Sequence, residues 1–163
     1  MHSLSLYTSL GFAVREPMVL VTGKPRGRPR GAEVRPMAES DLSACNALCR
    51  RVHGFTRGNE LADQLKGGSA QVAVRNGRVV AYVSNVVSWR TSHGVARTTE
   101  DMEAVLTGAS KSVSEVSFLL PIRQSDLFGW CLKNGFRAVQ PMTYMSLGFY
   151  REPSGCYFPT IHS

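Results

Sequence analysis

Cys45, Cys49 and His53 stand at i, i+4 and i+8, a spacing that brings two thiols and an imidazole to one face of a helix. That set could gather a metal ion. No fourth ligand accompanies it, and Leu42, Cys45, Leu48, Cys49 and Val52 together make the buried stripe of an amphipathic helix. Core packing is therefore the preferred reading, and no metal is expected. Cys131 falls in a second apolar stripe with Leu127, Phe128 and Leu132, so Cys45, Cys49, Cys131 and Cys156 read as reduced thiols rather than disulfides. Candidate bases for proton transfer are Glu60, His93 and Glu115, with no local context that ranks them.

The elements that must position these groups follow from pattern. Val34–Met37 reads as a short strand and Glu39–Leu42 as the start of the first core helix, with Ser40 as its cap. Glu60–Lys66 suggests a second helix, ended by Gly67-Gly68. Ala70–Arg75, Asn76-Gly77 and Arg78–Trp89 predict a hairpin, because Asn-Gly suits a type I′ turn. Thr98 can cap a helix over Glu100–Leu106. Val113–Leu120 is the next strand, and its apolar run Phe118–Leu120 predicts cover on both faces. Ser125 or Asp126 can cap the helix that carries Cys131, and Gly135 sits where a left-handed residue ends it. Phe136–Met145 continues as a strand that contains Pro141, so it should be an edge strand or carry a bulge.

One unit of this pattern occurs twice. Gly11-Phe12 and Pro17-Met18 match Gly135-Phe136 and Pro141-Met142 at one offset (135 − 11 = 142 − 18 = 124). A repeat at whole-domain spacing predicts two copies of one fold, the first reduced to its tail. The expected organisation is a tail of an upstream domain over 1–22, a basic Pro/Gly linker over 23–32 and a complete domain over 33–163. The first piece is too small to bury its own apolar face. It must dock on residues 34–148, pair with another chain, or belong to a further body.

The strand, helix, Gly-Phe and strand sequence of Glu115–Met145, with Leu6–Phe12 as a second copy, resembles the C-terminal half of the GNAT superfamily of acetyl-CoA-dependent N-acetyltransferases. The opening Val34-Arg35-Pro36 followed by Asp41-Leu42 also resembles the start of such domains. The resemblance implies an α/β fold, a mixed sheet flanked by helices, and transfer of an acetyl group from acetyl-CoA to an amine of a small molecule or protein. It implies that the strand after the hairpin splays from its neighbour and that the pantetheine arm enters the gap. Val87, Arg90, Gly94, Val95, Ala96, Arg97 and Thr98 would then bind the cofactor, with Arg90, Gly94 and Ala96 imitating the family's phosphate loop with one extra residue. An ordinary strand–helix connection explains the same residues. The family's acid, a tyrosine four residues before the glycine, corresponds to Tyr7 in the first copy and to Cys131 in the second. A non-catalytic module packed on an active partner domain is the alternative. Expected partners are the amine, and either a second copy or an upstream GNAT domain.

Composition bounds these readings. The 163 residues, 43% hydrophobic and 19% charged, describe a globular chain with room for a core. No apolar stretch approaches the ~20 residues that span a bilayer, and no secretory signal opens the chain, so a cytoplasmic protein is expected. The net charge of +7 owes much to Lys24, Arg26, Arg28 and Arg30. Pro25-Arg26-Gly27-Arg28-Pro29 resembles the core of an AT-hook, which lies in an A·T minor groove. The run also falls where a linker is required, and the linker reading is preferred. Residues 149–163, rich in Pro, Gly and aromatics, are expected to wrap the surface.

Overall fold

The computed structural model describes residues 2–161, so Met1, His162 and Ser163, the outermost residues of the two expected domains, lie outside the described residues. Helix α1 (His2–Ser9) leads through Gly11 into strand β1 (Ala13–Gly23). The body then runs β2 (Glu33–Pro36), α2 (Leu42–His53), α3 (Gly58–Lys66), β3 (Gln71–Arg75), β4 (Arg78–Val83), β5 (Gly94–Ala96), α4 (Thr99–Ala109) and β6 (Val116–Pro121). Helix α5 (Ser125–Lys133), β7 (Phe136–Ser146) and β8 (Cys156–Phe158) complete it.

Two sheets carry these strands, in the orders β2-β3-β4-β5-β8 and β6-β1-β7. The first is antiparallel throughout. Its hairpin turns at Asn76 and Gly77, both left-handed (φ 51° and 71°), as a type I′ turn requires. The outgoing strand ends at Val83, earlier than its apolar sequence suggests. Asn85 is the reason: its side-chain oxygen accepts the Val87 N–H at 2.8 Å and turns the chain. Side chains alternate across the sheet. Ala73, Ala81 and Val83 pack with α4 and the second sheet, while Val72, Tyr82 and Val95 pack under α2 and α3.

The caps show where local rules held. Thr98 accepts the Asp101 N–H at 3.2 Å, as expected. Ser40 does not cap α2; it lies inside a 3-10 turn over Glu39–Asp41. Asp41 stands at the N-terminal boundary of α2, but its carboxylate turns back to accept the Ala38 N–H (2.8 Å) and the Arg35 guanidinium (2.6 and 2.9 Å), so no side chain caps the helix. The Arg35 hydrogen bond holds the Asp41 carboxyl below the usual range against the opposing effect of burial.

The N-terminal piece docks on the body. Strand β1 is the middle strand of the second sheet, antiparallel to β6 and to β7. Its Met18–Val21 run is buried because strands flank it on both sides. Strand β7 ends the sheet, as Pro141 predicted, and a register shift between Leu20↔Gln140 and Val21↔Ala138 leaves Val139 unpaired. Helix α1 is different: Ser3–Ser9 is exposed along its whole length.

Candidate active site: a split sheet and an aromatic cleft

The two sheets meet at a split between β5 and β6. Near their first residues they are tied together. The Ser92 hydroxyl donates to the Ser117 carbonyl at 2.8 Å, and the Ser117 N–H donates to the Val86 carbonyl at 2.8 Å. At their far ends no ladder joins them, and β8 occupies the space. It pairs with β5 through Gly94↔Phe158, Val95↔Tyr157 and Ala96↔Cys156. Towards β6 it is held by side chains instead. The Phe158 ring centroid lies 4.7 Å from that of Phe118. Gln124, just beyond β6, donates to the Tyr157 carbonyl (2.5 Å) and accepts its N–H (3.1 Å). A side-chain amide thus stands in for one rung of a ladder.

Gly94 is fitted to this arrangement. A Cβ there would lie 2.3 Å from the Phe158 ring, so any other residue would push the ring out. Gly94, Val95 and Ala96, expected in a phosphate loop, are buried strand residues with neighbours on both sides. Val87 is exposed in the preceding turns, and Arg90 covers the Trp89 ring, its guanidinium carbon 5.3 Å from the centroid. Only Arg97 and Thr98 stand at the open end of the split. There, with Gly155, Arg123 and the first residues of α5, they line a pocket of about 250 Å³. The nine-residue loop suggested by 90–98 is absent because strand fills its second half.

Neither proposed acid reaches the split as an exposed group. Tyr7 is half-exposed on α1, its ring edge-on to Phe12 at 5.3 Å. Cys131 is fully buried, and burial, with Glu103 and Cys156 nearby, raises its thiol to about 12. A thiol held that high is a poor proton donor to a thiolate of ordinary pKa near ~8.5. Cys45 and Cys49 are likewise buried and free. Among the described residues no group of three or more His, Cys, Asp and Glu is placed to hold a metal ion. Of the candidate bases, Glu60 pairs with Arg57, Glu115 pairs with Arg137 at the surface, and only His93 lies near the split. It is fully buried, and burial holds its pKa well below the ordinary value.

A cleft of about 690 Å³ opens beside β8, walled by Phe12, Phe55, Tyr144, Tyr150 and Ile161, with Glu16, His53 and Tyr157 also lining it. Glu16 is the residue that sequence reasoning missed. It follows a β-bulge, the register slipping between Val14↔Met145 and Glu16↔Tyr144, and a bulge re-aims the side chain. Its carboxylate is buried, accepts the Tyr157 hydroxyl at 2.5 Å and pairs with Arg123 at 2.8 Å. Arg123 also donates to Tyr157 Oη (3.0 Å), the Pro153 carbonyl (2.9 Å) and Glu152 (3.0 Å). Three segments far apart in sequence therefore converge on one carboxylate. Burial first, and then the bond to Glu16, raises the Tyr157 hydroxyl well above its ordinary pKa. His53 packs edge-on to Tyr157 at 5.0 Å and next to His93 at 5.3 Å; burial, with Arg57 nearby, lowers its pKa to about 4. It is a neutral imidazole at pH 7.

No family model and no curated protein matches the chain. Solved structures do. A proposed acetyltransferase from Pyrococcus horikoshii superposes on 98% of this chain with a TM-score of 0.74 at 15% identity. The fold is that of the GNAT acetyltransferases. A second neighbour, a proposed GNAT-family acetyltransferase from Novosphingobium aromaticivorans, covers 85% of the chain and 69% of its own, with a TM-score of 0.50 and 13% identity. The chain spans about half (55%) of the Pyrococcus protein. In the GNAT fold the split between β5 and β6 is the feature that the resemblance linked to the pantetheine arm. Among the described residues no helix is long and apolar enough to cross a membrane.

The basic linker is pinned rather than free. Lys24 Nζ donates to the Val113 carbonyl at 2.7 Å and the Arg26 N–H to the Asn134 carbonyl at 3.3 Å. Arg26, Arg28 and Arg30 line a hollow of about 410 Å³ that Glu100 and Glu103 share.

Proposed function

We propose that the chain is an acyl-CoA-dependent N-acetyltransferase domain in which the C-terminal strand β8 and acetyl-CoA compete for the same split. One observation carries this reading: the two sheets stay unpaired at their far ends, and what fills the opening is a three-residue strand held on one side by side chains. Acetyl-CoA would lie along β5 with its phosphates towards Arg97 and the N-terminal turn of α4, where backbone N–H groups favour an anion. The acceptor amine would enter the aromatic cleft. Displacement of β8 removes Tyr157 from Glu16 and leaves a carboxylate able to take the proton of an incoming ammonium. The neutral amine then attacks the thioester carbonyl, the N–C bond forms and the C–S bond breaks, and the proton shed by the acylated nitrogen passes to the departing sulfur, leaving the neutral amide and the CoA thiol.

The test is calorimetric titration of acetyl-CoA into the chain and into Gln124→Ala. Loss of two hydrogen bonds at about 1 kcal/mol each weakens the hold on β8 by about 2 kcal/mol, so the variant binds about thirty-fold more tightly. No binding to either protein at millimolar ligand would leave the second reading, a GNAT-like module without catalysis. The buried thiol at position 131 is the observation that favours that second reading.

A further inference from the structure

The repeat and the pairing register are related by a rotation. Residue 18 corresponds to residue 142 under the offset of 124, and Met18 pairs directly with Met142 in the β1–β7 ladder. Pro17 pairs with Thr143, while its counterpart Pro141 pairs with Val19, the counterpart of Thr143. A local twofold axis therefore passes through the Met18–Met142 pair and exchanges β1 with β7. It likewise exchanges helix α1, which enters β1 through Gly11-Phe12, with helix α5, which enters β7 through Gly135-Phe136.

The two sides are not equally furnished. The outer edge of β1 carries β6 over Met18–Gly23, and α5 buries Leu127 and Cys131 in the body's core. The rotated positions are the outer edge of β7 from Met142 to Leu147, and the face of α1 that carries Leu4 and Tyr7. Strand β7 is the end of its sheet, α1 is exposed over Ser3–Ser9, and Leu147 is 61% exposed. An eight-residue helix is too short to be stable alone in water, and a long open edge invites strand addition.

We infer that α1 and the outer edge of β7 are the seat of a second α/β body of this fold, placed by the twofold as residues 33–124 are placed on α5 and β1. Its β6-like strand runs antiparallel to β7, its last residue opposite Met142 and its first opposite Leu147. The sheet then continues β6-β1-β7 and that strand. Tyr7, at the position of Cys131, then enters the second body's core as Cys131 enters the core of the first. The Pyrococcus protein, which matches 98% of this chain with only 55% of its own length, has the extra chain that such a body needs. The inference rests on the repeat and the register and is independent of catalysis.

Under the offset, residue 125 corresponds to residue 1, so a copy of residues 33–124 fused directly before Met1 repeats the order of body, helix and strand that residues 33–146 show. Hydrogen exchange followed by mass spectrometry is compared between this two-body chain and the 163-residue chain. The expected result is a monomer in which amides of α1 and of residues 142–147 exchange at least ten-fold more slowly. Both bodies folded with those amides unchanged would overturn the inference. The 163-residue chain gives an independent reading that does not require the added copy to fold. There α1 should exchange at least a hundred-fold faster than α5. Equal protection of the two helices in a monomer overturns the inference, and so does a dimer that buries α1 and β7, since it makes a second copy the occupant.

Discussion

Helices α1 and α5 are the same sequence device in two settings. Each runs into a Gly-Phe step and then into an eleven-residue strand, and each glycine is left-handed (Gly11 φ 90°, Gly135 φ 96°). Helix α5 buries Leu127 and Cys131 completely, whereas α1 leaves Leu4 40% and Leu6 56% exposed. The glycine and the following strand are thus set locally. What the helix does is set by the surface laid against it. The strands make the same point: β1 is buried because β6 covers its outer edge, and β7 is not covered.

Substitution separates the two settings most sharply at the helices. Leu127→Ala should cost about 2–5 kcal/mol in urea unfolding, the range for a leucine removed from a packed core. Leu6→Ala should stay within about 0.5 kcal/mol. Equal effects would erase the contrast.

Acid gives the next largest effect, confined to the body. His53, held at about 4, and His93, held lower still by burial, are neutral in the folded chain but protonate near 6.5 when unfolded. Their contribution is complete above pH 6.5 and is lost as pH falls from 6.5 towards 4, on the order of 3 kcal/mol from His53 alone. Denaturant titrations at pH 7.5 and 4.5 should show this fall. The opening of α1, read from exchange rates corrected for intrinsic pH dependence, should not follow it.

The glycines give the finest comparison. A Cβ at Gly135 would lie 2.9 Å from the Lys24 carbonyl oxygen, while one at Gly11 meets only Leu147 at an ordinary 3.5 Å. Both alanine substitutions carry the left-handed penalty of about 1 kcal/mol. Gly135→Ala adds the backbone clash and should cost clearly more in thermal unfolding.

Much of the frame was legible in the sequence. The hairpin at Asn76-Gly77, the Thr98 cap, the buried stripe of α2 and the edge character of a strand containing Pro141 all follow from rules that act within a few residues. The site was less legible, because its parts are assembled across the chain. Glu16 is aimed by a bulge whose existence depends on pairing with β7, a strand more than a hundred residues away. The segment 149–163 read as a surface tail, yet Cys156, Tyr157 and Phe158 are buried. Three apolar residues show no periodicity, and Gly94, whose missing side chain admits the Phe158 ring, gives no sign of that duty in its own neighbourhood.

The central claim is that β8 holds the place of acetyl-CoA. Amide exchange at Cys156–Phe158, measured with and without saturating acetyl-CoA, tests it most directly. Displacement predicts that these amides lose protection as the ligand binds, while those of Gly94–Ala96 stay protected. Bound ligand with β8 still fully protected, or no binding even in Gln124→Ala, would contradict it.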